Sequence, residues 1–140
     1  MDLINLIRQQ NVYYIRFIDN QEYNPNWTDV ELLSNIWRLH CWGNQLTSLP
    51  IMPNLQELHC WGNQLTSLPI MPNLQKLRCR NNQLNSLPLM PKLQFLNCQN
   101  NPLPYNDING YKKMCLEIYK THLNKTLIPE LTSIVLKYIM

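Results

Sequence analysis

Four cysteines stand at a fixed step: Cys41, Cys60, Cys79 and Cys98 each follow the last by 19 residues. Asn44, Asn63, Asn82 and Asn101 keep that step, and so do Leu46, Leu65, Leu84 and Leu103. One unit, Leu55 to Asn73, reads L-Q-E-L-H-C-W-G-N-Q-L-T-S-L-P-I-M-P-N. Complete units run 36–54, 55–73 and 74–92, and a partial one starts at Leu93. A unit this short is a single strand and its return. It cannot hide its apolar side alone, so neighbours must stack.

Each position of the unit has a physical reading. In L-x-C, alternate side chains point to one side of a strand and the intervening ones to the other. The Leu and Cys side is expected to be buried. The Asn sits where the chain leaves the strand, and its amide is placed to bond turn backbone groups in a ladder down the stack. The L-P-x-M-P return holds too much proline for a helix and is expected to be extended. Val12, Ile15, Phe17 and Asn20 repeat the spacing of Leu55, Leu58, Cys60 and Asn63, which reads as a degenerate first unit. Its return to Ile36 is longer, with a helical turn expected over T-D-V-E-L-L-S-N. The expected fold is α/β: a fairly flat solenoid of five short parallel strands with an extended, proline-rich convex side.

The skeleton L-x-x-L-x-C-x-x-N-x-L-x-x-L-P-x-M-P resembles the leucine-rich-repeat signature, in which Cys or Leu fills the third apolar position. N-Q-L-T-S-L-P followed by Pro is similar to the short repeats of bacterial effectors of the IpaH and YopM type. Leucine-rich proteins of giant DNA viruses of amoebae look similar too and share the Asn- and Ile-rich usage. The likeness covers residues 36–103 and reaches weakly to 12. It implies a repeat fold and a binding role, with no ubiquitin-ligase domain of the IpaH type.

An open stack needs its ends covered. Residues 1–11 read as an N-terminal helical cap, with Leu3, Ile4 and Ile7 on one helix face. The repeats occupy 12–104, with units starting at 12, 36, 55, 74 and 93. Residues 105–140 read as a C-terminal helical cap. There Ile108, Tyr111, Cys115, Ile118 and His122 make one stripe. Pro129 opens a second helix, with Leu131, Ile134, Val135, Tyr138 and Ile139 on its apolar face. I-P-E-L-T-S-I-V-L-K-Y-I, residues 128–139, resembles the opening of an F-box motif and, with K-K-M-C-L-E-I before it, slightly a SOCS box. That resemblance implies docking on a cullin-type ubiquitin ligase and makes the chain a substrate adaptor in an alternative reading.

The register leaves the intervening side chains facing outward. They are Tyr14, Arg16 and Ile18; Arg38, His40 and Trp42; Glu57, His59 and Trp61; Lys76, Arg78 and Arg80; and Phe95, Asn97 and Gln99. Trp42, Trp61 and Arg80 then form one row across the sheet, and His40, His59 and Arg78 another. Tyr, Trp and Arg are enriched at binding hot spots, so the face reads as a protein-binding surface with aromatic anchors and a basic flank. The bland alternative is that recently copied units carry the Trp pair along.

The remaining chemistry gives little to a catalyst. His40-Cys41 and His59-Cys60 look like zinc ligands, but strand neighbours point to opposite faces, so one pair cannot grip one metal. A metal shared by His40, His59 and Glu57 is the minor reading, and no metal ligand or cofactor is assigned. The same opposition rules out a Cys–His nucleophile. With three Gly in the whole chain, no phosphate loop is available. A net charge of +3 is small for a nucleic-acid binder, so stacking of single strands on the Trp pair with Arg38, Lys76, Arg78 and Arg80 is the lesser reading. No run of eighteen apolar residues is present, and the first residues, M-D-L-I-N-L-I-R, lack a basic leader and long apolar core. Five Cys, an odd count, point to reduced thiols and an intracellular, cytoplasmic setting. The expected function is non-enzymatic recognition of a protein, in a host cell if the chain is a viral or bacterial effector. Self-association through the flat face is a further option.

Overall fold

Leu39, Leu58, Leu77 and Leu96 stand directly beside one another on four successive strands, and this column organises the molecule. The computed structural model describes residues 2–123. Helix α1 is Leu3–Arg8, strand β1 Tyr14–Phe17 and helix α2 Asp29–Asn35, with a single 3-10 turn at Ile18–Asn20 between β1 and α2. Strands β2 (Ile36–His40), β3 (Glu57–His59), β4 (Lys76–Arg78) and β5 (Phe95–Asn97) follow, then helix α3, Ile108–Leu123. The strands form one sheet in the order β1-β2-β3-β4-β5.

Strands β2 to β5 are parallel and advance one 19-residue unit at a time. The proline-rich segments between them contain neither helix nor strand. Ile36, Leu55, Leu74 and Leu93 are buried, as are Cys41, Cys60, Cys79 and Cys98, and Met52, Met71 and Met90 close the core from the return side. Full burial of each such side chain is worth roughly 1.5–3 kcal/mol, collected only because the next unit covers it.

The Asn positions tie unit to unit. Asn63 donates from Nδ2 to the carbonyl of Cys60 in its own turn (2.9 Å) and of Cys41 one turn back (3.0 Å). Its Oδ1 accepts the backbone N–H of Leu46 at 2.9 Å. Asn82 and Asn101 repeat the pattern one and two units on. Buried turn groups that no strand can satisfy are thereby paired.

The first strand departs from the expected parallel order. β1 runs antiparallel to β2, with Tyr14 opposite His40, Ile15 opposite Leu39 and Arg16 opposite Arg38. The segment after β1 lacks the L-P-x-M-P return. Instead Asp19 and Asn20 take positive φ (57° and 55°), and the strand ends at Phe17. Helix α2 follows, started by a capping box in which Thr28 and Glu31 bond each other's backbone N–H. Leu32 on α2 is fully buried. Asn20 is exposed, outside the ladder its spacing had placed it in, and Ile18 belongs to the turn and not to a strand.

The helices at the two ends each bury one face. α1 buries Leu3, Leu6 and Ile7. α3 packs on β5 and buries Tyr111 and Tyr119, while Ile118, expected on that stripe, is 51% exposed. The four-residue step from Cys115 favours Tyr119 over the three-residue step to Ile118. The Tyr111 hydroxyl accepts from Met90 N (2.8 Å) and donates to Pro88 O (2.9 Å), pairing backbone of the last return segment. The His122 side chain and residues 128–139, with their F-box-like pattern, lie outside the described residues.

Candidate functional site

Of the fifteen outward residues singled out in the sequence, twelve make up the candidate site, and they lie along one face of this sheet. Tyr14 and Arg16 sit on β1, Arg38 and His40 on β2, Glu57 and His59 on β3, Lys76 and Arg78 on β4, and Phe95 on β5. Trp42, Trp61 and Arg80 lie just past the ends of β2, β3 and β4. The reversed first strand still delivers its residues to this face, because Ile15 opposite Leu39 fixes which side chains turn inward.

Two stacks cross the strands. In the first, the Trp42 and Trp61 rings lie 4.6 Å apart and 8° from parallel. Tyr13 covers the far side of Trp42 at 4.8 Å, and the Arg80 guanidinium lies 5.0 Å over Trp61. In the second, His40 and His59 stack at 3.9 Å and 9°, with Tyr14 4.9 Å from His40. Further along, Arg78 lies 4.9 Å over Phe95. Arg16 donates from Nε to the Tyr14 hydroxyl at 2.7 Å.

The position after each of these residues explains why the stacks form in register. Gly43 and Gly62 have φ of 70° and 67°, and Asn81 and Asn100, at the same place in later units, have 54° and 56°. Gly and Asn are the residues that enter this left-handed region most cheaply. The chain therefore leaves each strand by the same turn, and the preceding side chain is aimed the same way each time.

Glu57 is where the structure corrects the sequence reading of an open acidic group. It is only 7% exposed. Arg38 holds one carboxylate oxygen at 2.6 Å, while the other lies 3.1 Å from His59 Nε2 and 3.6 Å from His40 Nε2. Burial raises the Glu57 carboxyl, but the Arg38 ion pair outweighs it and the net shift is downward. The imidazoles shift down as well, His59 to about 4, chiefly through burial and then through His40. Both shifts favour the neutral imidazole, so the contacts with Glu57 are not full ion pairs, and His40 Nε2, at 3.6 Å, makes no hydrogen bond.

His40, Glu57 and His59 place one ligand atom each within 4.8 Å of one another, the one such group among the described residues. Parallel, stacked rings aim their lone pairs side by side and not at a common point, and Arg38 competes for the carboxylate. A divalent ion would have to splay the rings before binding. The thiols are no better placed for chemistry. Cys41, Cys60, Cys79 and Cys98 are buried and unpaired, and burial pushes Cys41 up to about 12 and Cys98 to about 11. They are protonated and inert at neutral pH.

Two features escaped the sequence reading. Tyr13, which extends the Trp stack, lies just ahead of β1. Ile51, Ile70 and Leu89 are 65%, 66% and 56% exposed and recur every 19 residues on the return segments, a second apolar row. The variable position of L-P-x-M-P carried that signal. Among the described residues no helix is long and apolar enough to cross a membrane.

Comparison with known proteins agrees with the repeat. The family model described as Leucine Rich repeats (2 copies) matches residues 38–70 and 72–113, together more than half of the 140 residues. No curated protein and no solved structure matched the chain. With units in register, a mostly parallel sheet and this match, the chain belongs to the leucine-rich-repeat family.

Proposed function

We propose that this chain is a non-enzymatic recognition module that binds a protein partner through its strand face. The observation that carries the reading is the stack Tyr13–Trp42–Trp61–Arg80, which brings large aromatic and guanidinium groups together on the half-exposed side of the sheet. Such groups are enriched among the few residues that dominate binding energy. Leucine-rich repeats generally mediate protein–protein interaction, which supports the same reading. In this proposal α1 and α3 serve as caps of a solenoid with an extended, proline-rich convex side.

The proposed setting is the cytoplasm, since the five unpaired thiols suit a reducing compartment. The likeness of the repeat to bacterial effectors and giant-virus proteins extends the proposal to a host protein as partner. A substrate-adaptor role rests on residues 128–139 alone, and no structural observation favours it.

The test is affinity capture with three proteins: wild type, Trp42→Ala/Trp61→Ala, and Ile51→Ser/Ile70→Ser as the variant of the opposite row. Loss of partners in the Trp variant alone, with the far-ultraviolet spectrum unchanged, supports the strand face. Capture that survives in the Trp variant and fails in the Ile variant moves recognition to the return segments.

A further inference from the structure

The charge of this protein is not spread evenly. Arg16, Arg38, Lys76, Arg78 and Arg80 are five of its twelve cationic side chains, and Glu57 is one of its nine acidic ones. The strand face is thus four charges positive, while the remaining seven cations and eight acids leave the rest of the chain at minus one. The single carboxylate on the face is buried and tied to Arg38. The free positive charge gathers where Lys76, Arg78 and Arg80 are all exposed.

The stacks decide what kind of anion fits. Ring follows ring from strand to strand, so the flat sides of Trp42 are covered by Tyr13 and Trp61, and those of Trp61 by Trp42 and Arg80. His40 is likewise held between Tyr14 and His59. Such rows turn ring edges, not ring faces, away from the sheet. Ring edges carry the positive part of the aromatic quadrupole and attract carboxylate and carbonyl oxygens. Nucleobases need open flat faces to stack on, and those of Trp42, Trp61 and His40 are covered on both sides.

Spacing gives the shape of the ligand. Lys76, Arg78 and Arg80 stand two residues apart along one extended stretch, about 6.5–7 Å per step. An extended polypeptide has the same pitch between alternate side chains. From these observations we propose that the face accepts an extended acidic polypeptide segment lying along Lys76, Arg78 and Arg80, with carboxylates at alternate positions. Each guanidinium offers paired N–H donors to one carboxylate. This proposal rests on the strand-face reading and names the chemistry of its partner.

Fluorescence anisotropy with defined probes tests it on the full chain. The probes are an octapeptide of alternating Glu and Thr, its Gln-for-Glu counterpart, a Lys-for-Glu counterpart, and oligothymidylate of equal charge. The alternating Glu peptide binds, more weakly as salt rises. The Gln peptide and the Arg78→Glu protein each lose about tenfold or more in affinity. A Lys112→Glu/Lys113→Glu protein, altered on α3, keeps wild-type binding. No binding of the Glu peptide, equal binding of the Gln peptide, or tighter binding of oligothymidylate overturns the proposal. If partner capture still depends on Trp42 and Trp61 in that case, the strand-face reading stands and the acidic ligand alone falls. If capture is indifferent to both Trp residues, the broader reading fails first.

Discussion

The Asn82 side chain donates to the carbonyl of Cys60, 3.0 Å away and 22 residues earlier in the chain. It makes an equal bond to Cys79 in its own turn, and its Oδ1 accepts Leu65 N at 3.0 Å. One amide thus serves two successive turns with both its donor and its acceptor end. Hydrophobic stacking holds the units together, and this amide sets how they are aligned.

Asn82→Ala is therefore expected to lower stability by about 1–3 kcal/mol, since the buried Leu65 N–H loses its acceptor while the Cys60 and Cys79 carbonyls each lose one of two donors and keep Asn63 and Asn101. Asn82→Asp is expected to cost more, because a carboxylate cannot donate to Cys60 or Cys79 and would face their carbonyl oxygens. Urea unfolding followed by circular dichroism checks both. Equal stability of Asp and Asn at this position would contradict the bonding described.

Cys60 is fully buried, and burial first, then its neighbours Cys79 and Cys41, push its thiol well above the ordinary value. Under native conditions Cys41, Cys60, Cys79 and Cys98 are expected to resist a thiol-reactive dye, and to label fully in denaturant. Cys60→Ala should cost about 1 kcal/mol as lost packing. Cys60→Ser should cost more, roughly 1–3 kcal/mol beyond Ala, because it buries a hydroxyl. Fast native labelling of any of the four would place that thiol outside the core.

His59 gives the fold an acid sensitivity. Its folded value, about 4, lies below the 6.5 of a free imidazole. The unfolded chain therefore binds more protons between those values, and stability present above pH 6.5 is lost as pH falls toward 4. His40 shifts in the same direction, with Glu57, Arg38 and Arg78 as the charges facing the pair. The melting temperature of the wild type should fall over pH 6.5 to 4.5, and His40→Gln/His59→Gln should flatten that slope. Identical slopes would mean the imidazoles titrate freely.

Gly62 tests the turn that aims the Trp stack. Asn81 and Asn100 already occupy its place in later units at nearly the same φ, and a Cβ at Gly62 would meet backbone no closer than 3.8 Å. Gly62→Asn should cost under about 1 kcal/mol, and Gly62→Val roughly 2 kcal/mol or more, from the left-handed backbone alone. Thermal unfolding distinguishes them.

Much of this was legible in the sequence because a 19-residue period repeats each physical constraint. Leu58 and Cys60 turn inward wherever their equivalents do, and the row from Trp42 to Arg80 follows from strand alternation. β1 was misread because Val12, Ile15 and Phe17 copy the apolar spacing while the direction of the strand depends on the turn at Asp19 and Asn20. Apolar spacing is blind to strand direction. Glu57 was misread because alternation says which way a side chain points, not what folds over it. Arg38 and the His40 imidazole, which help cover it, come from the neighbouring unit, and His59 comes from two residues further along the same strand.

The most direct measurement of the central claim is site-specific photo-crosslinking. A benzophenone side chain at Phe95, on the strand face, is compared with one at Ile70, on the return row. Adducts to a protein partner from position 95, removed by Trp42→Ala/Trp61→Ala, are the expected result. Adducts from position 70 alone would contradict it.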